Sequence, residues 1–134
     1  MILSASFSMV FAGEESYVPT VKAKVLLRTA RTASGAPLSF PGVGGEAVGL
    51  EVTIPAGTST GWHTHAHSGF AYVAAGELRV TLSDSSKHVY RRGDAFAEVV
   101  NTLHEGTALG KEDVSLIAFF LADSGRPVSE KPAH

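Results

Sequence analysis

The chain has 134 residues, a formal net charge of −2 at pH 7 and no cysteine. This length predicts one domain with a single core. The only adjacent basic pair is Arg91-Arg92, so the clustered positive face that nucleic acids and anionic membranes require is not expected. Without cysteine there can be no disulfide, thiolate metal site or cysteine nucleophile, and any metal must be bound by imidazole and oxygen.

The opening residues, MILSASFSMVFA, are apolar and uncharged and end in Val10-Phe11-Ala12. This ending is typical of the cleavage site of a secretory signal peptide. Residues 1–20 are therefore interpreted as a signal-peptide remnant, which favours a periplasmic or secreted protein. The alternative is an N-terminal arm that packs on the domain or on a neighbouring subunit, which leaves a cytoplasmic location open. No apolar run reaches the roughly 20 residues of a membrane-spanning helix.

After residue 20 the sequence alternates short β-like runs with turns rich in Gly, Asp and Ser,. The predicted strands cover residues 21–27, 46–54, 70–74, 78–82, 87–90, 95–100 and 114–121. No window of 12 residues has helical periodicity. This rhythm predicts an all-β sandwich or barrel over residues 21–123, followed by an irregular tail over residues 124–134.

Three of the six histidines lie within the stretch GTSTGWHTHAHSG, residues 57–69. His63 and His65 are two residues apart, so in an extended strand their rings point to the same side. Neutral imidazoles placed in this way can bind a metal ion. The pair alone is a weak signal, because two surface histidines on a loop give the same pattern.

The spacing around this pair resembles the first motif of the cupin superfamily, G(x)5HxH(x)3–4E(x)6G, with matches at Gly57, His63, His65 and Gly76. Cupins are small β-barrels that carry a metal at the wide end of the barrel.

The second cupin motif, G(x)5PxG(x)2H(x)3N, is similar in spacing to the stretch from Gly93 to His104. The resemblance spans residues 46–121 and implies a single jelly-roll-like cupin barrel. It also implies that His63, His65 and His104 meet inside the barrel as a three-histidine site. The cofactor would be one divalent transition metal, Fe, Mn, Ni or Zn.

The sequence also departs from both motifs. The family's glutamate ligand would fall at Gly69, or at Phe70 with the longer spacing, and neither residue can bind a metal. Val99, Asn101 and Ala108 replace the proline, glycine and asparagine of the second motif. A three-histidine set has lower affinity for a hard divalent ion but more open coordination positions. Such ferrous centres occur among cupin-like dioxygenases, so the resemblance implies a dioxygenase-like oxidoreductase.

The resemblance further implies which residues surround the metal. Gly69 and Ala71 would face the interior, and their small size would leave space for a substrate beside Phe96. Glu98 would face inward as a catalytic acid/base, a partner of a ligand histidine or a displaced fourth ligand, because an inward carboxylate is costly unless it is paired, protonated or metal-bound. With the opposite strand orientation, Glu98 would instead lie in solvent.

The remaining histidines have weaker arguments for a role. His67 shares the parity of the pair but matches a position at the barrel lip, so it is interpreted as a neighbour. His88 is interpreted as a surface histidine, and nothing argues for a role of His134.

Two functions from different classes fit the sequence. The first is a metal-dependent enzyme acting on a small organic molecule. The alternative is a non-catalytic module that binds a small molecule with or without a metal, which the lost motif residues favour. A barrel kept only for oligomerisation is a third option, and a homodimer is expected because small cupins commonly form dimers.

Overall fold

The protein is described by a computed structural model that covers Thr20 and residues 23–133. The apolar opening segment, with its proposed cleavage site, lies outside the described residues. The seven strands are β1 (Glu46–Ile54), β2 (Gly69–Ala75), β3 (Glu77–Leu82), β4 (Lys87–Arg91), β5 (Ala95–Ala97), β6 (His104–Leu109) and β7 (Val114–Ala122). Across the described part of the chain, no helix is long and apolar enough to span a membrane.

The strands form two antiparallel sheets, ordered β1-β7-β2-β5 and β4-β3-β6. Strand β7 alternates buried and less buried residues along most of its length, and β3 does the same from Leu78 to Leu82. Because alternate residues of a strand share a face, the buried faces of the two sheets together form one apolar core. It includes Val73, Leu78, Val114 and Leu116. The all-β barrel architecture expected from the resemblance is confirmed.

Six of the seven predicted strands correspond to observed strands, and β1 has the predicted ends. The predicted strand over residues 21–27 is wrong for the residues that can be described, 23–27. These residues are exposed and form no strand, because alternation alone cannot hold a strand that has neither a partner nor a buried face. Strand β6 was not predicted, since its inward positions are His104, Gly106 and Ala108 rather than large apolar residues.

The connection between β1 and β2 determines where the histidines lie. This segment runs along β6 as an irregular extra strand. The Thr60 N–H donates to the carbonyl of Gly106 at 2.9 Å. His63 and His104 exchange backbone hydrogen bonds of 2.9 and 3.0 Å. The first histidine pair is therefore held against the strand that carries the third histidine.

Candidate metal centre

His63, His65 and His104 form one cluster, and each offers a ligand nitrogen within 4.8 Å of the other two. Their ring centroids are separated by 4.9, 4.4 and 5.0 Å. His65 and His104 are buried, whereas His63 is partly exposed. The structure therefore brings together the three histidines that the sequence predicted, although His104 lies about forty residues after the other two.

Each of the three imidazoles is oriented by a backbone carbonyl. The Nδ1 atoms of His63, His65 and His104 lie 2.9, 2.8 and 2.8 Å from carbonyl oxygens. Because a carbonyl only accepts hydrogen bonds, each Nδ1 carries a proton, and Nε2 is the nitrogen that offers a lone pair when the ring is neutral. A histidine that binds a metal is commonly fixed in this manner by a partner on its other nitrogen.

The charge state of the cluster also suits a metal. Burial is the main cause that lowers the pKa of both His65 and His104 to about 4, and the neighbouring histidines contribute to the same shift. Both rings are therefore neutral at neutral pH, and neutral imidazole is the form that binds a metal ion. Three imidazoles oriented in this way fit a divalent transition metal of the kind that nitrogen ligands prefer.

Glu98 lies beside the cluster. Its backbone N–H donates to the carbonyl of Gly69 at 2.8 Å, its side chain is 12% exposed, and its Oε2 lies 3.7 Å from Nε2 of His104. Burial raises the pKa of Glu98 to about 7. The inward orientation predicted from the sequence is thus what the structure shows. The carboxylate is not part of the tight group of ligand atoms, which consists of the three histidines.

The position of the family's glutamate is filled by an aromatic ring. Gly69 pairs in register with Phe120 of β7, and a Cβ atom on Gly69 would collide with the Phe120 ring. That ring also packs against His65, with centroids 4.5 Å apart. The open space expected beside Gly69 is therefore occupied by Phe120.

The three residues expected to bind substrate lie outside the cavity lining. Gly69 and Ala71 are buried within β2, and neither is among the residues that line the cavity. Phe96 faces the core, as predicted, but its ring stacks on Tyr90 with centroids 4.0 Å apart and it is likewise absent from the lining.

The histidine cluster lies at the wall of a cavity of about 740 Å³, a size typical of small-molecule sites. Glu98, Thr60 and the three histidines provide polar groups, and Ser129, Glu130 and Lys131 contribute others at the C-terminal side. Both sheets contribute its apolar walls, which are formed by Leu50, Val52, Ile54, Leu78, Val80, Leu116, Ala118 and Phe120. A mostly apolar pocket with a few convergent polar groups can hold a small organic molecule.

One wall of the cavity comes from a segment that the sequence did not single out. Residues 128–132 line the cavity, and the backbone of Glu130 pairs with Thr64, next to the second ligand histidine. The tail is irregular, as predicted, and forms no strand. An irregular stretch with two prolines gives no sequence signal for such a role.

His67 lies outside the cluster. Its Nε2 is 3.0 Å from Oδ2 of Asp123 and its Nδ1 is 3.3 Å from Oγ of Ser39. Both ring nitrogens thus have protein partners. The structure agrees with the interpretation of His67 as a neighbour of the ligand pair.

One departure from the second motif has a conformational explanation. Asn101 stands at the family's glycine position and has φ of 49°, in the left-handed region that glycine favours. Asparagine is among the few other residues that tolerate this region. Its N–H donates to the carbonyl of His65 at 2.8 Å, so the turn that supports the cluster is retained without glycine.

Solved structures with the same fold are similar to this chain at low identity. The Cnp3 cupin domain of Schizosaccharomyces pombe has a TM-score of 0.52 at 19% identity, covering 58% of this chain and 57% of that one. A DMSP lyase structure has a TM-score of 0.54 at 16% identity, covering 65% and 44%. An oxalate decarboxylase has a TM-score of 0.51 at 22% identity, covering 60% and 23%. The chain thus spans less than two thirds of each of these structures.

No curated protein sequence matches the chain. The family described as "Cupin domain" matches residues 50–120, which is more than half of the chain. This region begins within β1 and ends within β7, and it includes all three clustered histidines. The chain therefore belongs to the cupin-domain family.

Proposed function

We propose that the protein binds one divalent transition metal through His63, His65 and His104 and acts as a metal-dependent oxidoreductase of the dioxygenase type. The substrate would be a small organic molecule held in the apolar cavity. The observation that carries this proposal is the set of three Nε2 lone pairs, each fixed by a carbonyl on the opposite nitrogen, at the wall of a cavity of about 740 Å³.

The cavity favours a substrate with an apolar body and an oxygen-bearing end. Its walls are aliphatic and aromatic, and its one lysine or arginine among the described residues is Lys131, which is exposed. Apart from the proposed metal, a small dianion such as oxalate, named for one structural neighbour, would find no buried cationic side chain among the described lining residues, and it would lie against these apolar walls close to the Glu98 carboxyl. Diketones, phenols and flavonols match the cavity better.

The metal, Glu98 and Phe120 would have different roles in the proposed reaction. Bound at this site, the metal would supply a Lewis acid for substrate oxygens and, as Fe(II), a centre for oxygen activation. We assign Glu98 to hold and move a proton at the substrate end nearest His104, since a carboxyl with a pKa of about 7 can both donate and accept at neutral pH. Phe120 and the aliphatic walls exclude water from that end.

Metal binding is tested by loading purified protein with Fe(II), Mn(II), Ni(II) or Zn(II) and measuring bound ion and affinity. We expect about one ion per chain. The variant His104→Ala should lose at least ~10-fold in affinity, because removing a ligand should cost no less than the loss of an outer-shell partner. His88→Ala is the matched control, since His88 lies on β4 outside the cluster. Retention of no ion, or unchanged binding by His104→Ala, would contradict the proposal.

The alternative is a non-catalytic binding module. It is favoured because Gly69, Val99 and Ala108 replace the glutamate, proline and asparagine of the family motifs. Oxygen consumption on a panel of diketones, thiols, flavonols and phenols separates the two functions. Turnover that Glu98→Gln slows at unchanged metal affinity supports the enzyme and the role of Glu98. Saturable binding of a panel member without turnover supports the module.

A homodimer and export to the periplasm stay predictions. Multi-angle light scattering of the purified protein tests the first. N-terminal sequencing of protein recovered from separated cell fractions tests the second, because a cleaved signal peptide would move the start of the chain beyond Ala12.

A further inference from the structure

The three clustered histidines differ in where their supporting carbonyls come from. His63 donates from Nδ1 to Gly61, and His104 donates to Thr102, in each case two residues earlier in the chain. His65 donates to the carbonyl of Val128, 63 residues later. Two ligands are therefore oriented by their own loops, whereas His65 depends on the distant C-terminal segment.

The C-terminal segment, defined here as residues 123–132, is fastened at several points. Thr64 and Glu130 exchange two backbone hydrogen bonds of 3.0 Å each. Asp123 contacts His67 at 3.0 Å, and the Gly125 N–H donates to Oε1 of Glu46 at 3.0 Å. The Thr64–Glu130 pair lies directly beside the bond from His65 to Val128, so it is the contact best placed to hold that carbonyl.

The same segment closes the cavity. Val128 is half-buried and packs against the hydrophobic core, and residues 128–132 line the cavity next to His65. A displaced segment would leave the Nδ1 proton of a buried ring without its acceptor. It would also open the cavity to water on that side. Both effects would act at His65.

We infer that Val128 and Glu130 are positioning residues for His65, so that metal binding and docking of the C-terminal segment are thermodynamically coupled. The inference rests on the proposed metal site. Coupling between two binding events is reciprocal: a bound ion stabilises the docked segment, and the docked segment raises the affinity for the ion by the same factor. The segment is thus part of the metal centre as well as a wall of the cavity.

Glu130→Pro tests the coupling in the full-length chain. Proline has no N–H, so this variant removes the hydrogen bond to the Thr64 carbonyl and weakens docking, while every clustered histidine is kept. Glu130→Ala is the matched control, because it removes the same side chain, including its contact with Arg126, and keeps the N–H. Zn²⁺ is the probe, since imidazole sites bind it tightly, and isothermal titration measures its affinity.

We expect Glu130→Pro to bind Zn²⁺ at least ~10-fold more weakly than the wild type, the range known for outer-shell partners of metal ligands, and Glu130→Ala to bind within about twofold. Equal affinity of the proline variant and the wild type would overturn the inference while leaving the metal site intact. A wild type that binds no Zn²⁺, Fe(II), Mn(II) or Ni(II) would overturn both.

Hydrogen exchange of the wild type provides a second test that needs no variant. Zn²⁺ should slow exchange of the Thr64 and Glu130 amides at least ~10-fold, whereas the Ser86 amide, which is bonded to Asp84 in the β3–β4 turn, should not change. Identical exchange of the Thr64 and Glu130 amides with and without bound Zn²⁺ would overturn the coupling.

Discussion

Glu98 has a largely buried carboxyl group for which no hydrogen bond is found among the described residues. Its ion-pair candidate is His104 at 3.7 Å, but that ring is neutral near pH 7 because burial lowers its pKa to about 4. An ionised carboxylate in such surroundings is costly. In the metal-free protein the group is therefore expected to reduce stability whenever it is charged.

The pH dependence of unfolding reveals this cost. Burial raises the pKa of Glu98 from 4.5 to about 7, so the folded state binds the proton more tightly than the unfolded state does. The contribution of Glu98 to the free energy of unfolding is fully present below pH 4.5 and is lost as the pH rises towards 7. Glutamine never ionises. The difference in the free energy of unfolding, Glu98→Gln minus wild type, should therefore increase by on the order of 2–3 kcal/mol as the pH rises across this range.

Denaturant unfolding of both proteins in EDTA, from pH 4.5 to pH 8, measures the difference. The two histidines whose pKa values are lowered titrate in both proteins, so their contribution largely cancels in the comparison. Parallel stability curves would show that the carboxyl group is solvated in the folded protein.

At the residue scale, the resemblance to the two cupin motifs predicts that His63, His65 and His104 cluster and that Glu98 faces inward. It does not predict that Phe120 fills the space beside Gly69. That contact depends on the register between β2 and β7, and register is set by packing across the whole sheet.

At the element scale, the turn between β2 and β3 is packed against the end of another turn. Gly76 has φ of 79°, and a Cβ atom there would meet the carbonyl of Asp113, just before β7. Gly110, at the end of β6, has φ of 73° with open space around it. The two glycines share a backbone conformation and differ in their surroundings.

Alanine at each position separates conformational strain from steric overlap. Gly110→Ala should destabilise the protein by about 1 kcal/mol, the cost of the left-handed conformation for alanine. Gly76→Ala should cost about 3 kcal/mol or more, because the added overlap is with backbone that cannot rotate away. Urea denaturation measures both values. Equal losses would show that the β2–β3 turn can move away from β7.

Strand prediction succeeded where large apolar residues alternate, as in β1 and β7, and failed where burial is achieved with other residues. The inward positions of β6 are a ligand histidine, a glycine and an alanine. Gly106 allows the close approach of Leu78 and Thr60, and none of the three inward residues is a large apolar one, so the strand that carries His104 lacks the usual β signal.

At the scale of the whole molecule, the candidate metal centre joins parts of the chain that are distant in sequence. His63 and His65 belong to the β1–β2 connection, His104 begins β6, and the C-terminal segment supports His65. An ion that binds the folded state alone adds RT ln(1 + [L]/Kd) to stability, about 2.7 kcal/mol at 100 times Kd.

Thermal unfolding should therefore depend on metal. Zn²⁺ at 100 times Kd should raise the Tm by roughly 10 °C for a domain of this size. The shift should disappear in His63→Ala and persist in His88→Ala, a control that lies outside the histidine cluster on β4, a strand that pairs with β3 rather than with the C-terminal segment. A shift that survives in His63→Ala would place the bound ion elsewhere.

The barrel itself is predictable from the sequence, because turn spacing and the two motifs extend over most of its strands. The role of the C-terminal segment is not. The segment supports His65 through backbone atoms of Val128 and Glu130. Almost any residue type can make such backbone hydrogen bonds, so the sequence does not indicate them.

The hydrogen bonds that orient the three histidines predict the order in which a metal ion and an organic ligand bind. With every Nδ1 proton donated to a carbonyl, the neutral rings of His65 and His104 present lone pairs to the cavity. Such a surface accepts hydrogen bonds and donates none, so it discriminates against carbonyl, enolate and phenolate oxygens. A bound cation reverses this preference. For the metal proposed above, we therefore expect the ion to bind before an oxygen-bearing ligand does.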